Sequence, residues 1–63
     1  MPFKIREARK ERGFTQEELA KRASVSRATI IGLENGPITV TTTETLTKIA
    51  GALGKKVSDI FLA

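Results

Sequence analysis

The sequence predicts an all-α protein, a compact bundle of five short helices making one domain over residues 1–63. Three observations predict it. Apolar residues recur every three or four positions, capping residues stand before those runs, and glycine or Asn-Gly stands after most of them. The chain has 63 residues, against roughly 100–200 for an ordinary domain, so a second domain has no room. A chain this short buries only about 60% of its unfolded surface, which calls for an economical core.

The elements follow in order. Ile5 and Ala8 repeat at i, i+3 among charged residues until Gly13, which predicts a first helix near 4–12. Thr15-Gln16-Glu17-Glu18 reads as a capping box, with Phe14 and Leu19 placed to staple the helix start. A second helix then runs about 16–23, burying Leu19, Ala20 and Ala23, and breaks at Ser24-Val25. Ser26 caps a third helix near 27–34, where Ile30 and Leu33 share a face, and Asn35-Gly36-Pro37 ends it. Residues 38–43 are β-branched throughout, but six residues cannot build a sheet alone, so they read as an ordered loop. Thr42 caps a fourth helix near 43–53, whose stripe is Leu46, Ile49, Ala50 and Leu53, and Gly54 closes it. A fifth helix near 57–62 offers Val57, Ile60 and Phe61. The predicted core is Ile5, Leu19, Ala20, Val25, Ile30, Leu33, Leu46, Ile49, Leu53, Ile60 and Phe61.

Composition narrows the chemistry. Cysteine and histidine are both absent, which removes disulfides, thiol and Ser-His nucleophiles and nearly all transition-metal chemistry. Only seven Asp+Glu remain for carboxylate catalysis. The expectation is a protein that is not an enzyme and needs no metal or cofactor. The formal charge is +4, with eight bases against four acids in residues 1–27 and three against three in residues 28–63. The whole excess therefore lies on the first half, as for a surface facing a polyanion. No apolar run approaches the ~20 residues of a membrane span, so a soluble, cytoplasmic protein is expected.

Residues 15–36, TQEELAKRASVSRATIIGLENG, place two short helices either side of a three- or four-residue turn. That is helix-turn-helix geometry. Ala20 is small where the two helices must cross, and Val25, Ile30 and Leu33 wedge them against the core. Position 24 asks for positive φ; Ser24 stands there instead of glycine, at a cost of about 1 kcal/mol.

With these residues in view, the chain resembles the lambda-repressor/Cro-like (XRE-type) helix-turn-helix DNA-binding domain over nearly its whole length. The resemblance rests on IREARKERGFTQEELA, SVSRATI, LENG and ETLTKIAGALGKKVSDIF, in that order and at those spacings. It departs at Ser24, at Gly32 inside the third helix, and at a lengthened, uncharged loop over 37–42.

The resemblance implies that the third helix lies in the major groove of double-stranded DNA with its N-terminal residues towards base edges. Ser26, Arg27, Ala28, Ile31 and Gly32 would then face the bases, because Ile30 and Leu33 face inward. Arg27 suits guanine O6 and N7, or else a phosphate; Ala28 and Ile31 suit a thymine methyl, with a core or dimer contact as the other reading of Ile31. Gly32 fits either close approach to the DNA backbone or simple tolerance. Phosphate contacts are expected from Thr15, Gln16, Thr29, Asn35, Thr42 and Thr43. Arg9 and Glu34 match the family's structural ion pair, worth about 0–1 kcal/mol if exposed, with a direct DNA contact as the other reading of Arg9. Lys4, Arg6, Lys10, Arg12, Lys21 and Arg22 read as solvated faces. Function follows as a transcriptional regulator, a repressor in the commoner case, working as a homodimer through the C-terminal half that is weak without DNA. The other reading is a protein-interaction module of the same fold that no longer reads an operator, favoured by the apolar Ala28, Ile31 and Gly32.

Overall fold

The computed structural model describes residues 3–36 and 41–61. Among them are five helices: α1 Ile5–Arg12, α2 Gln16–Ala23, α3 Arg27–Asn35, α4 Thr43–Leu53 and α5 Val57–Ile60. The β-branched residues 38–40 of the expected loop lie outside the described residues.

Local chemistry sets the helix starts. Thr15, Ser26 and Thr42 hold extended backbone, and each hydroxyl accepts the N–H three residues on, from Glu18 at 3.0 Å and from Thr29 and Thr45 at 3.1 Å. Half of the capping box at α2 forms, since the Glu18 carboxylate accepts from Arg22 at 3.0 Å. Phe14 packs against the core, and the Arg22 guanidinium stands 4.5 Å over its ring. Each of α1–α4 stops at a left-handed residue, three of them glycines. The fourth is Ser24, at φ 56°, the one non-glycine with positive φ among the described residues. A bond from the Val25 N–H to the Ala20 carbonyl, 3.0 Å, locks that turn.

Packing places α2 between α3 and α4, while α1 and α5 close the other sides. Ile5, Leu19, Ile30, Leu33, Ile49 and Ile60 are fully buried, and Ala20 lies in the core where α2 meets its neighbours. Two core assignments need correction. Val25 is half-buried. Phe61 is 39% exposed, and Phe3 takes the interior position instead at 4%. The cause is the way the chain ends meet. α5 stops at Ile60 rather than continuing to 62, because Phe61 turns extended and bridges antiparallel to Phe3. The Lys4 N–H donates to the Ile60 carbonyl at 2.7 Å, which also delays the start of α1 to Ile5. The two rings stand 5.5 Å apart at 43°, the inner one covered by the outer.

Candidate nucleic-acid interface

One buried acid ties α3 to α1 and to the start of α2. Glu34, on the last turn of α3, is 2% exposed. Arg9 reaches it from α1 with both prongs of its guanidinium, Nε to Oε2 at 2.7 Å and Nη2 to Oε1 at 3.0 Å. Its third nitrogen, Nη1, donates to the Phe14 carbonyl at 2.8 Å, in the turn between α1 and α2. Gln16, on the first turn of α2, donates its amide N–H to Oε1 at 3.3 Å. Arg6 comes within 3.6 Å of the same oxygen. Three helices therefore converge on one carboxylate, and no buried polar side-chain atom among the described residues lacks a partner.

Electrostatics follow from the geometry. Burial alone would raise the Glu34 carboxyl, but hydrogen bonds from Arg9 and Gln16, the Arg9 charge and the Arg6 hydrogen bond outweigh it. The group therefore sits below its ordinary value. Its hydrogen bond to Glu34 holds Arg9 above its ordinary value, against desolvation.

The α3 residues expected to meet bases divide into two sets. Ser26, Arg27 and Ala28 are exposed and Ile31 half-exposed. With Asn35, the stripe Ala28–Ile31–Asn35 follows i, i+3, i+7 along one side of the helix. Gly32 does not belong to it: Gly32 is buried. Its carbonyl accepts the Gly36 N–H at 3.0 Å, and although it stands one turn beyond exposed Ala28 it is covered in the folded chain. Close approach to a DNA backbone through Gly32 is therefore withdrawn.

The expected phosphate donors are also partly engaged. The Thr15 and Thr42 hydroxyls cap their helices, and Thr42 also donates to the Thr45 hydroxyl at 3.0 Å. The Ser26 and Thr29 hydroxyls share a hydrogen bond of 2.7 Å. The Gln16 amide is turned towards Glu34, and the side-chain oxygen of exposed Asn35 accepts from Arg6 at 2.7 Å, which leaves its amino group without a protein partner among the described residues. Thr43 is exposed at the start of α4.

Sequence reasoning missed a second use of the basic first half. Arg6, Arg9 and Arg12 recur every three residues on α1, and each donates to a main-chain carbonyl of a different segment. Their acceptors are Glu34 at 3.4 Å, Phe14 at 2.8 Å and Leu53 at 2.9 Å. Arg6 and Arg12 are not merely solvated: they put positive charge at the C-terminal ends of α3 and α4, neither of which has a base in its own last turn. The three-residue spacing was the available signal. Lys21 and Arg22 pair with Glu17 and Glu18 at 3.7 and 3.0 Å on the α2 surface. An open depression of about 320 Å³ between α1 and α5, lined by Lys4, Glu7, Glu11, Lys55 and Asp59, has no residue of α2 or α3 in its wall. Among the described residues no cluster of acids could hold a metal ion, and no helix is long and apolar enough to cross a membrane.

A sequence profile of the helix-turn-helix family matches residues 5–60, all five helices from end to end. The chain belongs to the lambda-repressor/Cro-like helix-turn-helix family. Among its relatives, an uncharacterised HTH-type transcriptional regulator of Methanothermobacter thermautotrophicus is 51% identical over 59 residues, covering 92% of this chain and 84% of that one. Another, from Methanocaldococcus jannaschii, is 40% identical over 62 residues, covering 98% and 92%. Of solved structures, SinR in complex with DNA, described as the master regulator for biofilm formation, superposes with a TM-score of 0.83 at 30% identity, covering 86% of each chain. The complex of SinR with SinI superposes at 0.84 and 29% identity, but this chain spans only 53% of that one. The helix-turn-helix of the family is α2, the Ser24–Ser26 turn and α3, the part that Glu34 ties to α1.

Proposed function

We propose that this helix-turn-helix domain is a sequence-specific, double-stranded DNA-binding transcriptional regulator that lays α3 in the major groove. The observation that carries the reading is the face of α3 itself. Arg27, Ala28 and Ile31 lie outward on a helix whose one acid, Glu34, is buried and neutralised. A polyanion meets no repulsion there, and the helix is fixed rigidly to α1 and α2. The likeness to SinR, whose structure is known in complex with DNA, supports the same use of the fold. Ser26, Arg27, Ala28 and Ile31 would face the bases, with Thr15, Gln16, Thr29, Asn35, Thr42 and Thr43 at the flanking phosphates. The Asn35 amino group and the N-terminal N–H groups of α2 and α4 are the donors best placed for that role.

Blocking a promoter as a cytoplasmic repressor is the outcome this reading favours, with two copies on two half-sites. Fluorescence-anisotropy titration against duplexes flanking the gene, and against scrambled duplexes, tests it. Sequence-dependent affinity that falls steeply with salt supports the reading. No binding to any duplex at low salt would leave the apolar pair Ala28 and Ile31 as the surface of a protein-interaction module instead.

A further inference from the structure

The exposed face of α3 is chemically sparse. The Ser26 hydroxyl accepts the Thr29 N–H at 3.1 Å and is bonded to the Thr29 hydroxyl at 2.7 Å. Glu34 is buried and paired, and the Asn35 carbonyl oxygen is held by Arg6. Over the first two turns, Arg27 is then the one outward side chain whose donors meet no partner among the described residues. Beside it are only the methyl of Ala28 and the branched hydrocarbon of Ile31.

Resting on the reading that α3 enters the major groove, we infer that Ala28 and Ile31 read the C5-methyl group of a pyrimidine within two base pairs of a guanine held by Arg27. The argument is one of elimination by chemistry. Adenine is read by a bidentate Asn or Gln, and cytosine N4 by a carboxylate. Neither stands on the outward face of the first two turns of α3. Hydrocarbon laid over a base edge of nitrogens and oxygens strips them of water and returns no hydrogen bond. The one apolar group on the floor of the major groove is the pyrimidine methyl. The spacing agrees. Ile31 lies four residues beyond Arg27, about 6 Å along the helix axis, close to two base steps of ~3.4 Å. Thymine carries this methyl always, and cytosine carries it when methylated at C5. Both present the same surface to Ile31.

The test begins with selection of bound sequences from random duplexes by the wild-type protein. Each thymine of the selected site is then replaced, one at a time, by deoxyuridine, which differs by the methyl alone. One or two thymines within two base pairs of the guanine should each lose about four-fold in affinity, the worth of burying one such group. In Ile31→Ala the thymine and deoxyuridine duplexes should bind alike at one of those positions, while the preference for guanine persists. Replacing that thymine pair by cytosine and then by 5-methylcytosine separates the two sources. Recovery of about four-fold on methylation makes methylated cytosine an equivalent ligand; loss with uridine but no recovery assigns the methyl to thymine. The DNA substitutions need no altered protein, so misfolding cannot mimic the result. A selected site bound equally well with deoxyuridine at every position overturns the methyl reading and leaves DNA recognition standing. Failure to select any sequence overturns both.

Discussion

Arg9 and Glu34 stand 25 positions apart in sequence and meet through two parallel hydrogen bonds of 2.7 and 3.0 Å, with the Glu34 side chain fully enclosed and that of Arg9 only 13% exposed. An exposed ion pair contributes about 0–1 kcal/mol. A buried pair behaves differently, because removing one partner leaves the other charged and out of water. Glu34 also receives Gln16 and Arg6, so its loss unties three helices at once.

The first prediction follows from that enclosure. Glu34→Gln and Arg9→Ala should each destabilise by about 3–5 kcal/mol, comparable with the total of about 3–9 kcal/mol for a domain of this size. Thermal melting should show Glu34→Gln largely unfolded near physiological temperature, with DNA affinity lost in parallel. Melting curves that coincide with wild type would refute the structural weight given to the pair.

Acid should reproduce the effect without mutation. The Glu34 carboxyl lies below its ordinary value in the folded state. Its contribution is therefore complete above the unfolded carboxylate range, near pH 4.3, and is lost as pH falls through the folded value. Urea midpoints should hold from neutrality down to about pH 5 and drop below about pH 4. In a Glu34→Gln protein still foldable at low temperature, that drop should be shallower.

Ser24 offers a change in the opposite direction. It holds φ 56° and ψ 41°, exposed to solvent, with no requirement for its hydroxyl among the observed hydrogen bonds. Ser24→Gly removes the Cβ penalty of the left-handed turn. The variant should gain up to about 1 kcal/mol, offset in part by the extra freedom of unfolded glycine. That gain raises Tm by about 4–8 °C at most. A lower Tm would show that the serine hydroxyl is needed.

Arg27 tests base reading directly. If its guanidinium is bidentate to guanine, Arg27→Ala should cost about 1–3 kcal/mol per half-site and relax preference at one base pair. Equal weakening on all sequences would make Arg27 a phosphate contact. Because Arg27 is exposed at the first turn of α3, its melting behaviour should not change.

These cases also show where local sequence runs out. Thr15, Ser26 and Thr42 were legible as caps because a hydroxyl satisfying an N–H three residues away is a contact written in adjacent residues. The inward faces of α2 and α4 were legible for the same reason of period. Phe3 and Phe61 were not, since which ring goes inside depends on the chain ends meeting. Gly32 misled because an outward position on the helix wheel is covered in the folded chain. The three-residue spacing put Arg12 on one face with Arg6 and Arg9, but it did not name the Leu53 carbonyl 41 positions away as the acceptor, nor show that a Cβ at position 54 would run into the Arg12 guanidinium. Long side chains find partners that only tertiary packing supplies.

The last prediction concerns assembly. A stable interface takes about 800 Å² from each partner, roughly a fifth of the 3846 Å² this chain exposes. The basic first half repels its copy, whereas residues 28–63 are neutral. Phe61 is the one large hydrophobic side chain counted as exposed among the described residues, and it lies in that second half over Phe3. One exposed ring covers too little area to hold two copies together unaided. The free protein should therefore sediment mainly as a monomer at micromolar concentration and contact its copy through the C-terminal half. DNA should complete the pair, because two half-sites about 34 Å apart hold both copies at high effective concentration. Sedimentation of the protein alone, and then on duplexes with one or two half-sites, measures this. Binding of the second copy should be tighter than the first, and Phe61→Ser should reduce that cooperativity; melting of the same variant reports separately on the Phe3 contact. Tight binding of a single copy to one half-site with no cooperativity on two, or a dimer buried through α1 and α2, would refute the prediction.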